Sequence, residues 1–295
     1  MKDIKNVLVV MDKPKHDQVA FRRALGLERT SPMHLHLTAF CYHPMYDQTE
    51  VFDTHQRSEI KKDLVHDRER WLRDQVLDAK AVYENVTLET VWTKELADWV
   101  VEKAGSGKYD LVMKTVHKSQ TLTHTPSDWT LLRECPAPVL LCTKKRWPKT
   151  PQILVALDLK RSDRSHKRLN VKALDAASWF AEKHGGQIHC VYAIEVSNVL
   201  SDLDIINPRK IQKDAKDKAQ AALDDLLGPY DIPKSRVHMP IGKVGQAVNN
   251  VAAKVKADLL VMGTTGRTGV KGLVLGNAAE KVLVRAGCDI LALKP

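Results

Sequence analysis

The chain has 295 residues, 43% of them hydrophobic and 28% charged, and a formal net charge of +10. That is enough chain for two ordinary domains, each with its own core, and no apolar run approaches the roughly 18 residues of a membrane span. Five cysteines (Cys41, Cys135, Cys142, Cys190 and Cys288), never in a C-x-x-C pair, argue against a disulfide framework or zinc ribbon and for a reducing cytoplasm.

The positive charge is spread rather than blocked. Residues 1–150 carry 24 Lys+Arg against 21 Asp+Glu, and residues 151–295 carry 22 against 15. A solvated surface accounts for this. With 5% aromatic residues and no nucleic-acid motif, a nucleic-acid role is the weakest reading, and it would require the Lys and Arg to cluster on one face.

In chain order, MKDIKNVLVVMDKPK reads as a first strand rather than a signal peptide, since its apolar run is short and no small-residue cleavage site follows. MHLHLTAFCYH (33–43) reads as a second strand. His34 and His36 fall on one phase of it and Cys41 and His43 on the other. That alternation splits the four candidates for a zinc site, so no metal is assigned. RERWLRDQVLDAKAVY (68–83) has helical spacing, YDLVMKTVH (109–117) reads as a strand preceded by Asp, and PAPVLLC (136–142) as a closing strand.

The plan then repeats. NVLVVMD (6–12) matches QILVALD (152–158), YDLVMKTVH matches ADLLVMGTTG (257–266), and PAPVLLC matches GCDILAL (287–293). LNVKALDAASWFAEKHGG (169–186) is an amphipathic helix with a Gly stop signal. Nearly continuous apolar runs predict parallel strands buried on both faces. Each half therefore predicts β-α-β-α-β-α-β-α-β. The fold class is α/β, with two tandem doubly wound five-stranded parallel-sheet domains, Rossmann-like, at 1–146 and 147–295. The basic, proline-bearing KKRWPKTPQ (144–152) is the expected linker.

Such sheets bind ligands beyond the carboxyl ends of their strands, where strand order reverses. In the second half those places hold Asp158, Gly263, Gly266 and Gly276-Asn277-Ala278, with the spacing G-x2-G-x9-G-N. Gly263 would let a ribose or base approach the backbone, and Gly266 supplies a turn. Gly276 opens a helix whose free N–H groups and positive end suit phosphate. Asn277 adds an amide, and Arg267 adds charge at the phosphate tail.

With these residues the second half resembles the universal stress protein family, whose ATP-binding members have G-x2-G-x9-G-Ser/Thr after strand 4. The two halves together are similar to its tandem E-type branch. The resemblance implies strand order 3-2-1-4-5 and ATP or a related adenine nucleotide as ligand, with or without Mg²⁺. It implies that Asp158 contacts the adenosine end, that Gly263 and Gly266 line ribose and phosphates, and that Gly276 and Asn277 bind phosphate. It also implies a stress-linked sensor or adaptor, and an intramolecular pseudo-dimer or a homodimer of such chains. Asn277 departs from the usual Ser/Thr.

Holding a nucleotide is a smaller claim than cleaving it. Lys271 lies in GVKG with the wrong neighbours for a P-loop, and no Walker B-type aspartate is evident. No catalytic residue is assigned, and a slow ATPase is the alternative function.

The first half lacks the motif. Aligned on strand 4, Gly263 corresponds to Lys114 and Gly266 to His117. Aligned on the closing strand, Gly276-Asn277 corresponds to Thr125-Pro126, followed by Ser127 and Asp128. Asp12 remains. Ser127 or Asp128 is the expected helix cap. The first half is expected to be a structural partner, or to have adapted its cleft to a second small ligand, with Trp71, Trp99 and Trp129 available.

Overall fold

Uninterrupted apolar runs four or five residues long have no solvent-facing side, so they are stable only with a helical layer on each face of their sheet. A computed structural model of the chain shows this arrangement twice. It describes residues 3–79, 85–117, 126–160, 163–195, 208–264, 281–282 and 286–295, and side chains within 208–227 from residue 213 onward. The chain divides into two units, Lys2–Lys144 and Lys145–Pro295.

The first unit runs β1 (Asn6–Val10), α1 (Val19–Glu28), β2 (His34–Cys41), α2 (Thr54–Asp78), β3 (Val86–Trp92), α3 (Leu96–Gly105), β4 (Leu111–Thr115), α4 (Pro126–Glu134) and β5 (Val139–Cys142). The second runs β6 (Gln152–Ala156), α5 (Arg164–His184), β7 (Gln187–Val191), α6 (Pro208–Leu227), β8 (Val237–His238), α7 (Val244–Lys254), β9 (Leu259–Gly263) and β10 (Asp289–Leu293). Strand order is β3-β2-β1-β4-β5 in the first unit and β8-β7-β6-β9-β10 in the second. Within each unit every pairing is parallel. The expected order 3-2-1-4-5 is therefore the observed one, twice.

The central strands are the core. Val7–Val10, Leu111–Met113, Val139–Cys142, Ile153–Val155, Leu259–Val261 and Ile290–Leu293 are all buried, each large side chain contributing about 1.5–3 kcal/mol by leaving water. The aspartate before the fourth strand has the same task in both halves. Asp110 Oδ2 accepts from the backbone N–H groups of Lys5 and Asn6, both at 2.9 Å. Asp258 Oδ2 accepts from Gln152 N at 2.8 Å. Each ties the start of its strand to the start of the neighbouring one.

Helix boundaries shift where apolar spacing is a poor guide. The helix expected around 68–83 begins at Thr54, where Asp53 accepts from Gln56 N and the Gln56 side chain accepts from Asp53 N. Only Leu72 and Val76 of α2 are buried, so its first turns carry a cap but no apolar stripe. α5 begins at Arg164 behind the cap Asp163, and ends at Gly185, whose φ of 66° suits glycine.

The linker is anchored to the second unit. Lys145 Nζ sits 2.9 Å from Asp258 Oδ1. Trp147 Nε1 donates to Asp289 Oδ2 at 3.0 Å, with its ring edge-on to Phe180. Replacing Trp147 by Phe keeps the ring and removes the hydrogen bond to a buried carboxylate. The expected loss is about 1.5–3 kcal/mol, read from the denaturant midpoint of the second unit.

Candidate functional site

The carboxyl ends of β6 and β9 lie side by side, with Ala156 opposite Met262 in the ladder. This adjacency brings Asp158 and Gly263 to the same end of the second sheet, at the reversal of strand order. Gly266, Arg267, Gly276, Asn277 and Ala278 lie outside the described residues, as does Lys271.

Asp158 is held by a residue the sequence reading missed. Asn170 of α5 accepts from Asp158 N at 3.0 Å and donates to Asp158 O at 2.8 Å. The Asp158 carboxylate is exposed and accepts from Lys160 N at 3.0 Å, closing a small turn. The first unit uses the same device. Gln18, just before α1, accepts from Asp12 N at 2.9 Å and donates to Asp12 O at 3.4 Å. An amide side chain on the following segment thus fixes the residue after the first strand in both units.

Other residues surround Asp158. Lys160 pairs with Glu195, whose other oxygen accepts from Val244 N at the start of α7, 3.3 Å away. The hydrogen bond from Lys160 is the largest influence holding the Glu195 carboxyl below its usual range. Half-buried Tyr192 lies among Lys160, Asp158 and Glu195, and burial pushes its phenol up. The available signal for Tyr192 and Glu195 was their place just beyond β7, and for Lys160 its place just beyond β6.

Gly263 has a packing reason of its own. A Cβ there would lie 2.3 Å from Leu169 Cδ2 and 2.5 Å from its Cγ. The missing side chain makes room for Leu169 of α5, a buried residue. Packing therefore gives this glycine a task of its own beside the expected access for a ribose.

The first unit's equivalent positions are already filled. The alignment of Gly263 with Lys114 is corrected by one residue. Lys114 faces Val10 and Met262 faces Ala156, so the partner of Gly263 is Thr115, and His117 corresponds to residue 265 rather than to Gly266. A one-residue slip turns each side chain to the other face of the sheet. Thr115 Oγ1 donates to Asp12 Oδ2 at 2.5 Å and accepts from Ala20 N at 3.0 Å. His117 Nε2 is 2.5 Å from Asp12 Oδ1. Both oxygens of buried Asp12 are thus engaged from within the unit.

Asp128 is a second correction. Expected at a helix cap, it is fully buried, with Lys114 Nζ 2.6 Å from its Oδ1. Lys114 also donates to Thr115 O at 3.1 Å.

The tryptophans offered as a ligand wall pack locally. Trp99 is edge-on to Phe40, and Arg68 and Arg133 lie over Trp71 and Trp129. His34 and His36 face Thr87 and Glu89, and His43 receives Met45 N. All five cysteines are buried and none is in a disulfide. Burial pushes the Cys190 and Cys288 thiols up to about 12. No helix among the described residues is long and apolar enough to cross a membrane.

The sequence model of the universal stress protein family matches residues 3–143 and again 150–294. The chain belongs to the universal stress protein family. Its likeness to E-type universal stress proteins runs along the whole length. It is 28% identical over 296 residues to Universal stress protein E of Salmonella typhi, covering 98% of this chain and 94% of that protein. It is 29% identical over 305 residues to the Universal stress protein E homolog of Haemophilus influenzae, covering 99% and 97%. A crystal structure of a protein of unknown function from Pseudomonas aeruginosa PAO1 has the same fold, with a TM-score of 0.74 at 24% identity over 99% of this chain and 93% of that one. The chain thus holds two universal stress protein domains in tandem.

Proposed function

We propose that the second unit binds ATP or a related adenine nucleotide beyond the carboxyl ends of β6 and β9, and that the chain acts in the cytoplasm as a stress-linked sensor or adaptor. One observation carries this reading: Asp158 and Gly263, the first two members of the family's nucleotide pattern, stand on adjacent strand ends at the reversal of strand order. From Gly263 the sequence continues as G-x2-G-x9-G-N. In the proposed complex Gly266, Arg267, Gly276, Asn277 and Ala278 hold ribose and phosphates, with or without Mg²⁺. The sequence leads one to expect a helix opening at Gly276, and its backbone N–H groups and positive end would supply the grip on phosphate. The first unit, with Asp12 and Asp128 internally paired, serves as structural partner or takes a different small ligand.

Equilibrium binding of ATP tests the assignment. Wild-type protein should bind, and Gly276→Val should weaken binding at least tenfold, because a branched side chain would stand where phosphate meets the helix start. Asp158→Ala should weaken it less. Gly263→Val is the wrong probe, since it collides with Leu169 whether or not a nucleotide binds. Absence of binding by wild type at millimolar ATP overturns the assignment.

A further inference from the structure

Because the two units share a register, positions in their outer strands can be equated. Leu8 faces His36 and Thr38 faces Glu89 in the first unit. Leu154 faces His189 and Val191 faces His238 in the second. His36 and His189 therefore occupy one equivalent position, and Glu89 and His238 another. The chemistry across the pair has been changed.

In the first unit an imidazole meets a carboxylate. His36 Nε2 is 2.5 Å from Glu89 Oε2, and Lys103 Nζ of α3 is 2.9 Å from the same oxygen. In the second unit an imidazole meets an imidazole. His189 Nδ1 is 3.2 Å from His238 Nε2, and the rings lie 5.5 Å apart and 18° from parallel.

Gln152 sets the tautomer. Its amide nitrogen donates to Thr150 O, so its oxygen faces His189 Nε2 at 3.0 Å and receives that nitrogen's hydrogen. His189 Nδ1 is then the acceptor for a hydrogen on His238 Nε2. Only one hydrogen fits between the two rings. The folded pair has room for one extra proton, but a second would point two N–H groups at each other. The charged groups beside the rings make even the first unfavourable. Arg236, just before β8, acts on His189, and Lys254 of α7 acts on His238. Gln152 from β6 is uncharged, and no carboxylate among the described residues forms an ion pair with either ring.

We propose that the His189–His238 pair is an acid-sensitive latch that releases β8 from β7 as pH falls below the ordinary imidazole range, while His36–Glu89 keeps the equivalent strands of the first unit together. Burial, then His238 and Arg236, hold the His189 imidazole below its ordinary value of 6.5; burial, then Lys254, do the same for His238. The opened segment therefore binds more protons than the closed one. Closure is favoured above 6.5 and is lost as pH falls below it. The segment has reach, because Tyr192 N donates to His238 O, Ile194 N to Pro240 O and Gly242 N to Ile194 O. Glu195 and the start of α7 follow directly.

Amide hydrogen exchange of the full chain at pH 7.5, 6.5 and 5.5, corrected for intrinsic exchange, tests the latch. Protection of the Tyr192, Ile194 and Gly242 amides should fall about tenfold per pH unit below 6.5 for each proton taken up on opening. Protection of Thr93 N, which donates to Cys41 O in the first unit, should stay level. His238→Glu rebuilds the first unit's pair and should abolish the fall. His189→Gln removes one titrating ring and should at least halve the slope. If only one variant folds, it decides. Level protection in wild type, an equal fall at Thr93, or an undiminished fall in a folded variant overturns the proposal.

Discussion

Replacing Lys114 by Met should destabilise the first unit by about 3–5 kcal/mol, the usual cost of removing one member of a buried ion pair. Lys114 and Asp128 are 2.6 Å apart, with side chains 5% and 0% exposed. In wild type the ammonium offsets the cost of keeping that carboxylate out of water. Methionine fills much of the same volume but supplies no charge, so the buried carboxylate loses its lysine countercharge. Scanning calorimetry should show the first unit's transition lowered by on the order of 10 °C. The double variant Lys114→Met/Asp128→Leu should recover most of the loss, because it removes both charges and leaves an apolar contact. A single variant as stable as wild type would show that the pair carries no such weight.

The second large effect is at Gly263. Gly263→Ala places a methyl group 2.3 Å from Leu169 Cδ2 and 2.5 Å from Cγ. Because Cγ is the branch point of the side chain, rotating its end cannot relieve the contact. Either α5 moves away from β9 or Leu169 leaves its rotamer, at an expected cost of about 1–3 kcal/mol. Leu169→Ala alone should also destabilise, by about 2–5 kcal/mol through the cavity it leaves. The two together should cost clearly less than their sum, since each change makes room for the other. Urea denaturation of the four proteins measures this, and strict additivity would show that the residues do not meet. Any loss of nucleotide binding in a Gly263 variant has to be separated from this packing effect.

How far the sequence can be read depends on the range of the interaction concerned. NVLVVMD and QILVALD are legible as buried strands because each residue reports its own environment, and the repeat shows that both halves share one plan. Asp158 and Gly263 are legible because a ligand site in this fold lies at known strand ends. The start of α2 at Thr54 was not legible from apolar spacing, because its opening turns are nearly all exposed. Asn170 was missed because an amide in a helix pattern looks like an ordinary polar residue until Asp158 is seen beside it.

The sequence by itself determined the duplication and which half carries the glycine pattern, since those follow from local hydrophobic period and short-range spacing, while the strand order came from the family resemblance. Only the tertiary structure decided that Lys114 serves Asp128, that Asp12 is engaged by Thr115 and His117, and that Gly263 yields to Leu169. It also decided that His238 stands where the other unit has Glu89. Each of these depends on which side chains meet across different elements. That is set by strand register and helix packing, where a shift of one residue turns a side chain to the opposite face.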